Sequence, residues 1–461
     1  MKQFPKAGWF WYLCALYIFE MAWAEKFKLN KQLIKSVLEA GFNTPKEIQL
    51  KTLNRIIGGQ DVVAIGAEGC GKTTVLVLAT LNRFKHSADG VPKALILAPD
   101  QEKVFELLAQ FDRLNRNKTI RLVSLHPGQT TEQNMDDLAE GADIVVATPD
   151  RARAIYLKLG LNLNKVDFFA VDDAQLIVKK GLQLPVVELA NSIGRAQRLI
   201  FTEVMHARLE KMIAPFMLQP ATIEVEEMPD EQLPVHPQML YHVPNFGTKL
   251  NLLNLFLHDE ELITKTVVFT NTRLTAETVY KSLSNKLRKA VVMINPLSFE
   301  YNKVNNIEEF KIDGSLRVLI VANESGAESD VTGIPFIIHL DLPAEKEIYI
   351  QHIENHNIDA DDETLALTFA TDLELDQVRR IEQATGQKMQ RAELPEDLVI
   401  EKDRKQKEEE KEQAKAKKHI KPDPNQYVPG EAFHEKKPEN SKTYNYSSGT
   451  KAKMNMKKKH G

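Results

Sequence analysis

The sequence predicts an α/β protein: two tandem parallel-sheet domains followed by a disordered, basic C-terminal tail. Three patterns predict this. Short apolar runs of strand length alternate with helix-length amphipathic stretches, as in parallel sheets covered on both faces. An acidic segment holding three prolines, residues 226–237, interrupts that alternation and reads as an interdomain linker. From about residue 396 the composition turns to Lys, Glu and Gln, then to Pro, Asn, Ser and Gly, which leaves too few apolar side chains for a core. The expected divisions are an apolar extension over 1–24, a first domain over 25–224, a linker over 225–240, a second domain over 241–395 and a tail over 396–461.

The elements follow in order. Residues 30–40 form an amphipathic helix with Leu33, Ile34, Val37 and Leu38 on one face. Strands of the first domain are expected at 62–66, 94–99, 121–125, 144–148, 168–172 and 198–202. Those of the second are expected at 266–271, 290–294, 317–322, 336–340 and 365–370.

The octet Gly66-Ala67-Glu68-Gly69-Cys70-Gly71-Lys72-Thr73 lies between the strand at 62–66 and a helix opening with Thr73-Thr74. It fits a phosphate-cradling P-loop. Glycines let the backbone fold around an anion, so that its N–H groups and the helix N-terminus face phosphate oxygens. Lys72 would neutralise the β and γ phosphates, and Thr73 would offer its hydroxyl to Mg²⁺. The plainer reading is a Gly-rich turn, and the strand–loop–helix context counts against it.

About a hundred residues later, the apolar run 166–171 delivers Asp172 and Asp173 to the carboxyl edge of the sheet, where open α/β sheets bind ligands. Beside a P-loop, Asp172 would hold Mg²⁺ with Thr73 and Asp173 would orient the attacking water. A surface carboxylate pair at a strand end is the competing reading.

Further elements complete a constellation: Gly41-Phe42-Asn43-Thr44-Pro45-Lys46-Glu47-Ile48-Gln49 upstream, then Ala147-Thr148-Pro149-Asp150-Arg151, then Val268-Phe269-Thr270-Asn271-Thr272. With these the chain resembles the DEAD-box ATP-dependent RNA helicases over about residues 25–395, in the right order. The resemblance implies two RecA-like P-loop domains, ATP and Mg²⁺ as cofactors, and RNA as partner. It implies that Gln49 reads the adenine edge, against the competing reading of a buried polar anchor on a helix, and that Phe42, Gln49, Gly66, Ala67, Glu68, Gly69, Cys70, Gly71, Lys72, Thr73 and Thr74 form the nucleotide site. Lys72, Asp172 and Asp173 are the implied catalytic residues, with Thr73 and Asp172 the metal ligands. Pro99, Gly128, Thr148, Pro149 and Arg151 would face RNA, largely through backbone groups that do not depend on the side chain. The competing reading of Thr148-Pro149 is a helix N-terminus capped by Thr148 or Asp150. The family's upstream aromatic has no clean match; Trp23 and Phe27 stand nearest.

The departures are as informative. The family tetrad Asp-Glu-Ala-Asp is here Asp172-Asp173-Ala174-Gln175, so the second carboxylate is one methylene short. The Ser-Ala-Thr element becomes Thr202-Glu203-Val204. The segment that carries the family's arginine fingers reads Gln351-His352-Ile353-Glu354-Asn355-His356-Asn357-Ile358, with no arginine, and Gly326-Ala327-Glu328-Ser329-Asp330 lacks another. Where the family has Gln-x-x-Arg, this chain has Phe299-Glu300-Tyr301-Asn302. Because an arginine finger contributes on the order of 10³–10⁵ in rate, turnover is expected to be far below that of an intact member, or absent.

Composition is that of an ordinary soluble globular protein. Of 461 residues, 43% are hydrophobic and 27% charged. Two cysteines, Cys14 and Cys70, form no disulfide framework and suit a reducing compartment. The net charge of −4 hides an asymmetry, because residues 401–461 hold 17 Lys/Arg against 10 Asp/Glu. Such a tail either meets nucleic acid electrostatically or is simply solvated, and Lys457-Lys458-Lys459 is its one purely basic run. Lys2, Lys6, the aromatic run at 8–19 and Ala22-Trp23-Ala24 have the parts of a secretory signal. Glu20 interrupts that run, which is too short to span a bilayer. The expectation is a start assigned upstream, with Met21 as initiator, and a cytoplasmic protein without a membrane partner. A protein partner would use the C-terminal lobe or the tail.

Overall fold

The computed structural model describes residues 27–42, 44–84, 90–226, 228, 229, 232–283, 287–297, 301, 303–325, 330–355 and 364–402. The apolar extension including Trp23 and Cys14, the positions 299, 300, 302, 326–329 and 356–358, and the tail beyond Lys402 lie outside the described residues.

The first domain alternates helix and strand. Helix α1 (Lys31–Glu39) is capped by Asn30, whose side chain accepts from Leu33 N at 2.7 Å, and α2 spans Glu47–Ile57. There follow β1 (Val62–Gly66), α3 (Lys72–Arg83), β2 (Ala94–Leu97), α4 (Gln101–Leu114), β3 (Leu122–Leu125), α5 (Thr131–Ala139), β4 (Ile144–Ala147) and α6 (Pro149–Leu157). The domain closes with β5 (Phe168–Val171), α7 (Ala174–Lys179), α8 (Gln183–Ser192), β6 (Gln197–Thr202), α9 (Ala207–Ile213) and β7 (Ala221–Val225). All seven strands pair in parallel, in the order β3-β4-β2-β5-β6-β1-β7.

Alternation along each strand builds two cores. In β1, Val62 and Ala64 face one apolar cluster while Val63 and Ile65 face the other. Each fully buried Val, Leu or Ile contributes about 1.5–3 kcal/mol, and burial on both faces explains why these strands read as continuous apolar runs. Phe27 is only 1% exposed and belongs to the core cluster that holds Val62 and Ala64.

The second domain repeats the plan with β8 (Gln238–His242), α10 (Phe246–His258), β9 (Thr266–Thr270), α11 (Arg273–Ser282), β10 (Val291–Ile294), β11 (Lys303–Val304), α12 (Ile307–Ile312) and β12 (Val318–Ala322). It ends with β13 (Phe336–His339), α13 (Lys346–Ile353), β14 (Leu365–Ala370), α14 (Leu375–Thr385) and β15 (Gln390–Ala392). Its eight parallel strands run β11-β10-β12-β9-β13-β14-β8-β15.

Four strands escape the sequence pattern. β7 is an edge strand with alternating exposure, β11 and β15 are very short, and β8 begins inside the expected linker. The link between the sheets is therefore 226–237, and it lies against the second domain: Leu233 N donates to Thr385 O and His236 N to Ile353 O, both at 2.9 Å. At the other end, the chain stays hydrogen-bonded to α10 as far as Glu401, five residues past the expected start of the tail. Asn251 Nδ2 donates to Val399 O at 2.7 Å, and Glu401 N donates to Thr248 Oγ1 at 3.0 Å. Among the described residues, no helix is long and apolar enough to cross a membrane.

Candidate functional site

β5, β6 and β1 are neighbours in the first sheet, so their carboxyl ends bring three separate stretches of sequence together. β1 ends at Gly66 and α3 begins at Lys72; the loop between them turns through Gly69 at φ +78° and Gly71 at φ +101°, where an L side chain is strained. Gly71 is also closed sterically, because a Cβ there would stand 2.8 Å from Gln49 Nε2. Gln49 is 6% exposed, and its Oε1 accepts from Lys46 N at 3.1 Å. The residue expected to read adenine thus packs on the loop expected to hold phosphate.

Lys72 is buried at the loop's centre. Its Nζ donates to Gly66 O at 2.6 Å and Ala67 O at 2.7 Å, and lies 4.0 Å from Cys70 Sγ. Lys46 Nζ donates to Gly69 O from outside. Ala67 and Cys70 are buried, Thr74 is half-buried on the first turn of α3, and Glu68 is the loop's outward side chain at 60% exposure. Phe42 is half-buried with the Arg113 guanidinium 4.8 Å from its ring centroid.

Across from the loop, Thr73 Oγ1 donates to Asp172 Oδ2 at 3.1 Å although 99 residues separate them. Burial, reinforced by Asp173, pushes the Asp172 carboxyl above the usual carboxylate range, against the pull of Lys72 and Thr73. Asp173 occupies the left-handed region at φ +47°, ψ +49°. Burial raises its carboxyl too; Lys103 and Lys72 oppose the rise and Glu203 adds to it. Lys103 Nζ sits 3.6 Å from Asp173 Oδ2 and 2.8 Å from Glu106 Oε2. Among the described residues no cluster of three or more His, Cys, Asp or Glu is set to hold a metal. A hydroxyl and one carboxylate are the donor set that suits Mg²⁺, which keeps most of its waters and shares phosphate oxygens.

The sequence did not disclose what surrounds these groups. Gln175 Oε1 accepts from Thr202 Oγ1 at 3.0 Å and from Glu203 N at 3.2 Å, tying β6 to the Asp172 turn. Glu203, 3% exposed, is gripped by Arg380 of α14, whose Nε lies 3.0 Å from Oε2 and whose Nη2 lies 2.9 Å from Oε1. The same guanidinium is 3.4 Å from Glu68 Oε2. Arg379 beside it donates to Glu203 O and, at 2.9 Å, to Val225 O. An acidic residue buried at the end of a strand signals a partner cation, but the sequence does not say which one.

The five residues expected to face RNA gather on one edge, because β3, β4 and β2 are adjacent. Pro99 follows β2, Gly128 follows β3, and Thr148, Pro149 and Arg151 open α6 after β4. Arg151 joins two of these turns, Nε donating to His126 O at 3.3 Å and Nη1 to Thr131 Oγ1 at 3.4 Å. A Cβ at Gly128 would meet Gln101 Oε1 at 2.9 Å. Thr148 stands at the N-cap of α6 without a capping hydrogen bond, and its buried Oγ1 has no partner among the described residues. Capping is therefore not what this threonine does.

In the second domain, His352 turns inward from the arginine-free segment. It is 3% exposed, stacks on Phe269 with ring centroids 3.6 Å apart, and its Nδ1 lies 3.3 Å from His339 Nε2.

Residues 46–212 match the family described as DEAD/DEAH box helicase. The chain is 24% identical over 328 residues to DEAD-box ATP-dependent RNA helicase 14 of Arabidopsis thaliana, covering 70% of this chain and 52% of that relative. It therefore spans about half the length of that relative. It is 23% identical over 374 residues to DEAD-box ATP-dependent RNA helicase CshA of Bacillus licheniformis, covering 80% of this chain and 75% of the relative. Among solved structures it is similar to a DEAD box protein from the hyperthermophile Methanococcus jannaschii, at 21% identity and a TM-score of 0.44, over 79% of this chain and 98% of that one.

Proposed function

We propose that the chain, whose residues 46–212 match the DEAD/DEAH box helicase family, is a DEAD-box-like protein that binds ATP with Mg²⁺ on its first domain, binds RNA along the same domain's sheet edge, and remodels RNA with weakened ATP hydrolysis. The observation that carries the reading is the meeting of Thr73 and Asp172 at 3.1 Å beside the buried Lys72. The loop 66–73 would wrap the phosphates with its N–H groups, Lys72 would leave the loop carbonyls for the β and γ phosphates, and Thr73 with Asp172 would hold the metal. Gln49, packed on Gly71, would select adenine. Bound Mg²⁺ would neutralise charge on the terminal phosphates.

RNA is supported by the placement of Pro99, Gly128, Thr148, Pro149 and Arg151 on three adjacent strand ends, and by the names of the two relatives. Weak turnover is supported by Asp173. Its carboxylate falls short of a glutamate's by roughly an ångström, a displacement that can cost about a hundredfold in rate. A reducing, ATP-containing compartment, the cytoplasm, suits this chemistry. The second lobe or the tail would serve a protein partner.

One observation favours a second reading, a nucleotide-responsive RNA-binding scaffold without turnover. His352, in the segment where the family carries its fingers, is committed to a stack inside the second domain. Calorimetry of Mg²⁺–ATP with and without single-stranded RNA tests the common core, and RNA must tighten ATP binding if the lobes close together. No heat with ATP and Mg²⁺ would end both readings. RNA-stimulated hydrolysis at a rate typical of the family would remove the second and the claim of weakened turnover.

A further inference from the structure

We infer that Arg380, from the second domain, is the side chain that distinguishes a triphosphate from a diphosphate at the P-loop. The inference rests on the proposal that loop 66–73 holds ATP. Three relationships carry it. The Arg380 guanidinium is 3.4 Å from Glu68 Oε2, the third residue of that loop. It holds Glu203 two-pronged at 2.9 and 3.0 Å. Glu203 in turn acts electrostatically on Asp173, which follows the Asp172 paired with Thr73. A single guanidinium from α14 therefore reaches both Glu68 of the loop and the buried Glu203 at the end of β6. A cleft of about 440 Å³, lined by Glu68, Lys346, Gln377, Arg380 and Gln383 among others, opens beside it.

The two carboxylates play unequal parts. Glu203 is 3% exposed and its charge needs a fixed cation; Glu68 is 60% exposed and is held by the longer contact. ADP ends at the β phosphate, whereas ATP would bring a further anionic group to the loop. That group matches a guanidinium fork in geometry and charge. Arg380 would exchange Glu68 for the γ phosphate while its grip on Glu203 keeps it aimed.

The test compares Mg²⁺–ATP and Mg²⁺–ADP affinities by calorimetry on the full-length chain. Arg380→Ala is expected to weaken ATP by about tenfold or more, the loss of one charge-assisted contact, with ADP changed less than about twofold. If that variant fails to fold with Glu203 left unpaired, the double variant Glu203→Gln, Arg380→Gln removes both charges and must show the same selective loss. Glu68→Gln, which removes the competitor, is expected to tighten ATP relative to ADP. An unchanged ATP-to-ADP ratio in the Arg380 variants would overturn the inference and reduce Arg380 to a link between domains. Equal weakening of both nucleotides would do the same. A wild-type chain that binds neither nucleotide would instead overturn the proposed function itself, and this inference with it.

Discussion

Glu203 and Arg380 join the two domains through a two-pronged ion pair, Nε to Oε2 at 3.0 Å and Nη2 to Oε1 at 2.9 Å, at the end of β6. The Glu203 hydrogen bonds hold the Arg380 guanidinium charged above its ordinary value. Removing one partner strands the other, and stranding is worse than removing both. Arg380→Met is expected to lower stability by about 2 kcal/mol, below the about 3–5 kcal/mol of a fully buried pair because the arginine is a third exposed. Urea denaturation should show the Glu203→Gln, Arg380→Gln double variant recovering more than half of that loss. If the separate Glu203→Gln and Arg380→Gln losses simply add in the double variant, the residues do not act as a pair.

Gln49 and Gly71 make a second testable contact. Gly71→Ala puts a Cβ at φ +101° and 2.8 Å from Gln49 Nε2, so backbone strain of about 1–3 kcal/mol and displacement of the glutamine arrive together. ATP affinity is expected to fall at least about tenfold. Gln49→Ala separates the causes: it should weaken ATP while sparing GTP, because only adenine presents the edge that this amide reads. Equal losses for both nucleotides in titrations would remove Gln49 from base selection.

Much of this site was legible in the sequence because its parts are local. A strand buried on both faces must be an apolar run, a phosphate loop needs glycine where φ is positive, and the Thr73–Asp172 pairing follows once both strands end on one sheet edge. The Arg380 contact was not legible. Arg379 and Arg380 lie on an amphipathic helix of the second domain, where two arginines read as an ordinary solvated face. Only their contacts with Glu203, Val225 and Glu68 set them apart. The edge strand β7 escaped because alternating exposure in Ala221–Val225 mimics a surface turn, and β8 because prolines stand just before it.

Asp173 shows how sequence and backbone constrain one another. At φ +47°, a position where Asp is tolerated better than longer side chains, Asp173→Glu is expected to cost about 1 kcal/mol of stability. It would also restore the missing methylene and carry the carboxylate toward the water. RNA-stimulated ATP hydrolysis should then rise by about ten- to a hundredfold with ATP affinity little changed. Single-turnover assays beside thermal melts would read both effects. A variant that binds ATP normally yet hydrolyses it no faster would remove the short carboxylate as the cause of slow turnover.

His339 and His352 give the second domain a defined response to acid. Burial holds His352 neutral, lowering it to about 4, and burial aided by His352 lowers His339 well below the ordinary 6.5. The unfolded chain takes up both protons below about pH 6.5, whereas in the folded chain His352 refuses its proton until about pH 4 and His339 is held neutral well below its ordinary range. Stability is therefore unaffected by this pair above about pH 7 and falls as the pH drops from 6.5 toward 4. At pH 5 the loss from His352 alone comes to about 2 kcal/mol. His352→Gln keeps a polar group against His339 and cannot titrate, so the gap between wild type and variant in urea midpoints should move in the variant's favour as the pH is lowered from 7.5 to 5. A gap that stays constant across that range would mean that the His352 ring takes up its proton inside the folded domain.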